Sequence, residues 1–113
     1  MKVNFEDFEK APETEIKRET EVYTVTDLYM NKLVVSKTVL HPNQHTRGHS
    51  HNLDEVYFVV KGKGKLKFDN EIMEIKEGDI ITIDHGKFHQ TINESDEDLI
   101  FLCVFEKYEE RGK

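Results

Sequence analysis

The feature that most constrains the fold of this chain is a series of short runs rich in β-branched residues. Val, Ile and Thr number 26 among the 113 residues, against one Ala, and such stiff side chains favour strands over helices. The runs span residues 22–29, 32–40, 53–60, 63–68, 71–75, 80–83, 90–93 and 98–105. Turn-forming residues separate them, and Asp69-Asn70 is typical of a tight hairpin. Many short strands without helical periodicity predict an all-β sandwich, barrel or jelly roll.

The length of the chain suits one domain with flanking segments. Residues 1–21 carry seven acids, four bases and Pro12, and we interpret them as an N-terminal arm, either a short helical turn or disordered. Residues 22–106 hold all the strand runs and are predicted to form the barrel. Residues 107–113 are mostly charged and are predicted to be a C-terminal tail in solvent.

The charge and composition exclude several classes of partner. The formal net charge is -7, whereas nucleic acids and anionic membranes attract basic surfaces. No apolar run approaches the ~20 residues of a membrane span, and the N-terminus lacks the apolar stretch of a signal peptide. The single cysteine, Cys103, cannot form an internal disulfide, which fits a reducing compartment. We therefore expect a cytoplasmic protein with no nucleic-acid or membrane partner.

Two of the strand runs, residues 56–60 and 99–105, are apolar at both odd and even positions. One face of each can line the barrel, and the other needs cover from a second sheet, the arm or another subunit. For so small a chain a homodimer is the simplest cover, and two-fold dimers are the commonest kind. We expect a homodimer.

Three potential metal ligands, His49, His51 and Glu55, lie in an H-x-H-x3-E pattern, and His89 follows 34 residues later. On an extended strand, residues of one parity share a face. A lone H-x-H pair is more often a surface feature, but Glu55 and His89 complete a set of three imidazoles and one carboxylate. That set suits one divalent Fe, Mn, Co, Ni, Cu or Zn ion. A six-coordinate ion would keep two open positions, whereas tetrahedral zinc would be closed and structural.

These residues also carry a family resemblance. The run from His49 to Glu55, followed after six residues by Gly62, resembles the first motif of the cupin superfamily. The second motif is matched in spacing by Gly78, Asp84, Gly86, His89 and Asn93. Two turn positions depart from the pattern, since Asn43 stands where a glycine is expected and Asp84 where a proline is expected. No ligand position is lost.

The resemblance implies a cupin-type double-stranded β-helix, a small jelly-roll barrel with the metal near its mouth. It carries the ligand roles onto His49, His51, Glu55 and His89. It also implies similarity to compact single-domain cupins, which commonly dimerise.

Other residues have two interpretations each. Tyr57 has the parity of Glu55, so it either fills the barrel or sits beneath the metal and hydrogen-bonds a ligand; it is the one candidate for a catalytic role. Lys37 either reaches the cavity or faces water. Substrate contact or simple solvent exposure is open for His41, His45 and Arg47. Cys103 is interpreted as a buried, inert thiol.

The motifs favour a metal-dependent enzyme acting on a small, oxygen-rich metabolite. Dioxygenase- or decarboxylase-type chemistry and sugar isomerisation both remain open, although the scarcity of nearby cations (Arg47, Lys37, Lys87) disfavours phosphosugars. The alternative is a cupin that binds or senses a small ligand without turning it over. In a third interpretation zinc only staples an interaction protein, which would unfold on chelation.

Overall fold

The computed structural model describes residues 1–50 and 52–107 and contains a short 3₁₀ helix at Phe5–Lys10 followed by nine strands. The strands are β1 (Thr14–Glu19), β2 (Tyr23–Met30), β3 (Leu33–Leu40), β4 (Glu55–Lys61), β5 (Lys63–Phe68), β6 (Glu71–Lys76), β7 (Ile80–Ile83), β8 (His89–Ile92) and β9 (Leu99–Glu106). The predicted all-β architecture is confirmed. His51 lies outside the described residues, as does most of the predicted tail. Within the described ranges, no helix has the length and apolar character to cross a membrane.

The strands form two antiparallel sheets. The larger has the order β1-β2-β3-β9-β4-β7 and the smaller the order β6-β5-β8. Chain neighbours such as β4 and β5 lie in different sheets, which is the winding of a double-stranded β-helix. At one end of the barrel, Glu55 begins β4 and His89 begins β8. The segment between β3 and β4 runs beside β8, with isolated bridges from His45 to Ile92 and from His49 to His89.

The core lies between the two sheets and follows the two-residue period of the strands. Along β4 and β9, buried and more exposed residues alternate. The buried hydrophobic cluster consists of Val34, Leu40, Tyr57, Val59, Leu66, Ile75, Ile81, Ile83, Leu99, Phe101, Cys103 and Phe105.

The N-terminal segment covers one part of the outer surface. β1 pairs with β2, and the 3₁₀ helix buries Phe8. The ammonium of Lys37 lies 3.0 Å from Glu9 Oε1, donates to the Phe5 carbonyl at 3.0 Å and lies 4.2 Å from the Phe5 ring centroid. Lys37 therefore faces neither the cavity nor open water, because the helix folds over it. The arm boundary at residue 21 remains a prediction.

The outer face of β4, β7 and β9 is apolar and exposed. Val56, Phe58, Ile80 and Val104 keep between 39 and 65 % of their surface accessible in the described chain. The patch carries no charge on a chain of net charge -7, so two copies can meet there without opposing like charges. We propose that a second copy of this chain covers the patch through a two-fold contact.

Replacing Lys37 by Met should lower the free energy of unfolding by about 1–3 kcal/mol, because a buried ammonium with several partners is lost. Urea titration of the variant measures the change. The control is Lys61→Met, since Lys61 is exposed on β4 and should change stability by under about 0.5 kcal/mol. Equal losses in the two variants would contradict the role assigned to Lys37.

Light scattering after gel filtration should give a dimer mass for the wild type at micromolar concentration. Phe58→Glu should give a monomer, since it places a carboxylate in the contact. Ile72→Glu is the control, because Ile72 is also an exposed apolar residue but lies on the smaller sheet. A monomeric wild type, or a dimeric Phe58→Glu variant, would refute the proposed contact.

Candidate metal centre

Three of the four predicted ligands converge at the mouth of the barrel. The potential ligand atoms of His49, Glu55 and His89 all lie within 4.8 Å of one another. His89 Nε2 lies 4.0 Å from Glu55 Oε2, and the rings of His49 and His89 meet edge to face at 4.4 Å between centroids. Glu55 and His89 are buried, whereas His49 is exposed. The group therefore has one side in the barrel and one side toward solvent.

Backbone pairing positions the two histidines, although 40 residues separate them in the chain. The amide of His49 donates to the carbonyl of His89, and the amide of His89 donates back, each at 3.0 Å. Glu55 enters from the opposite sheet as the first, inward-facing residue of β4. The site is thus assembled across the barrel rather than within one turn.

A glycine allows the first histidine to take its place. Gly48 has a φ of +86°, and a Cβ at this position would lie 2.5 Å from the Phe88 ring. Only a residue without a side chain accepts both the left-handed backbone and this close approach. Gly48 precedes His49 and Phe88 precedes His89. The packing of Phe88 onto Gly48 therefore fixes the backbone next to each of the two bridged histidines.

The two departures from the cupin motifs preserve the turn geometry. Asn43 has a φ of +59°, a left-handed conformation that Asn tolerates better than most residues. At the other departure, the carbonyl of Asp84 accepts from the amide of Lys87 at 3.3 Å, and Gly86 takes a φ of +79°. Both turns close without the expected glycine and proline.

The orientation of the His89 ring follows from its contact with the backbone. His89 Nδ1 lies 3.2 Å from the carbonyl oxygen of Lys87. A carbonyl oxygen only accepts, so Nδ1 donates to it, and Nε2 is directed toward Glu55 at 4.0 Å. This is the arrangement in which an imidazole can bind a metal through Nε2.

Tyr57 lies directly inside the site. Its buried ring stacks on Phe101 at 5.2 Å and meets His89 edge to face at 5.8 Å between centroids. Its hydroxyl forms side-chain hydrogen bonds with Cys103 and Glu55. Burial first, and then Cys103 and Glu55, raise the pKa of Tyr57 well above its usual value. At neutral pH the phenol therefore keeps its proton and donates to the Glu55 carboxylate, while its ring fills the barrel.

The remaining candidates lie away from this group. His41 pairs with Asp98 at 3.2 Å, at the end of the barrel opposite Glu55. His45 contacts the Gln90 side chain at 3.1 Å on the outside of the smaller sheet, and Arg47 is exposed. Cys103 is buried in the core beside Tyr57.

The sequence analysis did not predict a hydrogen-bonded contact between Asp54, in the first motif, and His85, in the second. Asp54 Oδ1 accepts from the backbone amide of His85 at 3.0 Å and from its Nδ1 at 3.2 Å. The backbone hydrogen bond, followed by the side-chain one, lowers the pKa of Asp54. The sequence signal was available, since Asp54 precedes Glu55 and His85 lies four residues before His89.

The residues at the mouth fit a divalent metal ion. Metal–ligand distances of about 2.0–2.2 Å place the ligand atoms around one ion roughly 3–4.2 Å apart, so the observed separations need only a small contraction. Burial of a carboxylate is costly unless it is paired, hydrogen-bonded or bound to a metal. The only buried Lys or Arg among the described residues is Lys37, and it is held on the outer face by Glu9.

Comparisons with known proteins identify the family of this fold. A profile of the cupin domain matches residues 36–105. The 5-nitrosalicylic acid 1,2-dioxygenase of Bradyrhizobium is 29% identical over 66 residues, which are 58% of this chain and 32% of that protein. The glucose-6-phosphate isomerase of Thermococcus litoralis is 34% identical over 82 residues, covering 60% and 43% of the two chains. The match thus spans between about a third and a half of these relatives.

Solved structures give the same fold. A predicted oxalate decarboxylase from Thermotoga maritima superposes with a TM-score of 0.70 at 26% identity, over 76% of this chain and 81% of that one. A cupin-2 domain from Rhodospirillum rubrum gives 0.75 at 19% identity, over 87% and 71%. The matched profile covers well over half of this chain. The chain therefore belongs to the cupin domain family, and it has the double-stranded β-helix expected of a member.

Proposed function

We propose that this cupin binds one divalent transition metal through His49, His51, Glu55 and His89, and that it is a metal-dependent enzyme acting on a small, oxygen-rich metabolite. The observation that carries the proposal is the buried Glu55–His89 pair, which meets the exposed His49 at the barrel mouth. A closed structural site would have no need of a solvent-facing side.

The residues around the site have separate tasks. A bound ion would supply Lewis acidity toward carbonyl, hydroxyl or carboxylate oxygens. His89 is oriented by the Lys87 carbonyl, which accepts from Nδ1. Tyr57 donates to Glu55 and thereby limits the orientations of that carboxylate. The His49 side faces solvent, and we place substrate entry there.

The charges around the mouth favour a substrate without phosphate. Lys37 is held on the outer face by Glu9 and Phe5. Lys87 is paired with Asp69 at 3.4 Å, and Arg47 lies exposed in the loop before His49. The relatives' names include a dioxygenase and a sugar-phosphate isomerase. Both oxygen-dependent reactions and isomerisation should therefore be assayed. The identity of the bound metal would decide which assay is done first.

Elemental analysis of untagged protein should find about one divalent transition metal per chain. His51→Ala and His89→Ala should each lose it, with affinity lower by more than about 100-fold, while circular dichroism reports a folded barrel. His45→Ala is the control, since His45 lies outside the site and should keep the metal. Full occupancy in His51→Ala would overturn the ligand assignment. A wild type that takes up no ion, even after reconstitution, would favour the metal-free ligand binder.

Gly48→Ala should weaken metal binding by about 10–100-fold, because the new Cβ displaces Phe88 beside the bridged histidines. Gly78→Ala is a matched control, since Gly78 has a φ of +94° but no atom within 4 Å of an added Cβ. Both variants should lose about 1–3 kcal/mol of stability through backbone strain. Competition with a chelator measures the affinity, and equal affinities in the two variants would show that Phe88 does not support the site.

A further inference from the structure

A row of four polar side chains crosses the inner face of the larger sheet at a single level. Asp27 on β2 pairs with Ser36 on β3, Ser36 with Cys103 on β9, and Cys103 with Tyr57 on β4. All four are at most 6% exposed. Directly paired residues on one face have Cβ atoms about 4.5–5.5 Å apart, so the row is continuous across the four strands.

Most neighbours of this row in the core are apolar. On β9 and β4 the adjacent inward-facing residues are Phe101, Phe105 and Val59, together with Glu55, all buried; on β3 the buried neighbours of Ser36 are Val34 and Thr38. Burying polar groups among such neighbours costs free energy unless they bond to one another. An apolar row would fill the same space, so the polar one calls for a functional explanation.

A carboxylate lies at each end of the row: Asp27 is its first member, and Glu55 lies next to its last member, Tyr57. These carboxylates set the direction of the hydrogen bonds at the two ends. At one end Tyr29 Oη donates to Asp27 Oδ2 at 3.1 Å. At the other end the Tyr57 hydroxyl bonds to both Glu55 and Cys103. An ionised carboxylate only accepts, and a phenol has one proton to give. Tyr57 therefore donates to Glu55, and the Cys103 thiol donates to the Tyr57 oxygen.

We infer that Cys103, Ser36 and Asp27 are positioning residues of the metal centre, which act through Tyr57 on the Glu55 carboxylate. Cys103 holds the phenol oxygen so that its proton points at Glu55. Ser36 and Asp27 continue the row beyond Cys103 in register, and Ser36 lies directly behind the thiol. The inference rests on the proposed metal site, and none of the three residues touches the ion or the substrate.

The test uses cobalt(II) as the probe, with affinity from chelator competition and the visible absorption bands as readouts. Tyr57→Phe should weaken cobalt binding by about 10–100-fold and shift the bands. Cys103→Ala and Asp27→Asn should shift the bands in the same sense with several-fold weaker binding, and Cys103→Ser, which keeps a donor, should restore much of the loss. Should Asp27→Asn fail to fold, Ser36→Ala tests the same end of the row.

The control is Thr38→Val, which alters a buried, inward-facing polar residue of β3 outside the row. It should lower stability while leaving the cobalt spectrum unchanged. Row variants that bind and absorb like Thr38→Val would overturn the inference and leave the metal site standing. A sulfur-to-cobalt charge-transfer band would make Cys103 a ligand and also overturn it. A wild type that binds no cobalt would refute the metal site and the inference together.

Discussion

The reciprocal backbone pairing of His49 with His89 is the contact on which the rest of the site depends. Two hydrogen bonds of 3.0 Å tie a long, irregular segment to the edge of the smaller sheet. Together with the bridge from His45 to Ile92, they fix the exposed histidine relative to the buried one. The pairing is possible because Gly48 brings the loop backbone close to Phe88, and Phe88 precedes His89. The absence of a side chain at Gly48 thus allows the close packing that positions the two motifs of the site.

The electrostatic consequence is a carboxyl group placed in the interior of the barrel beside an imidazole and a phenol. Glu55 is 5% exposed, with His89 Nε2 at 4.0 Å and the Tyr57 hydroxyl hydrogen-bonded to it. The buried ammonium of Lys37 is taken up by Glu9 and Phe5 on the outer face. A divalent cation would satisfy the carboxylate and both imidazoles at once, which explains why these groups are tolerated in a small core.

One part of the outer surface is covered by the N-terminal segment, and another part is exposed. The N-terminal 3₁₀ helix covers Lys37 and the β2–β3 side, whereas the apolar side chains of β4, β7 and β9 stay exposed in the described chain. The exposed apolar patch is the surface that we propose a second copy covers. The same strands carry Glu55 and Tyr57 on their inner face, so an association of two chains there would also stiffen the wall of the site.

Much of the fold could be predicted from the sequence, because strands follow a two-residue period. The candidate site was predicted from the spacing of the motifs, since His49 lies beside β8 and Glu55 begins β4 in the other sheet. Strand alternation placed Glu55 and Tyr57 on one face, and the spacing of the histidines matched known motifs. The sequence did not predict which residues surround a side chain when those neighbours come from distant strands. The sequence did not predict that the N-terminal 3₁₀ helix covers Lys37. It also did not predict that Cys103 belongs to the row of polar residues that ends at Tyr57, next to Glu55. Those positions depend on the register between β2, β3, β9 and β4, and register is set when the whole barrel buries its apolar face. The chain by itself therefore determined the strands and the candidate ligands, and only the tertiary structure decided which groups surround them, because those neighbours come from distant strands.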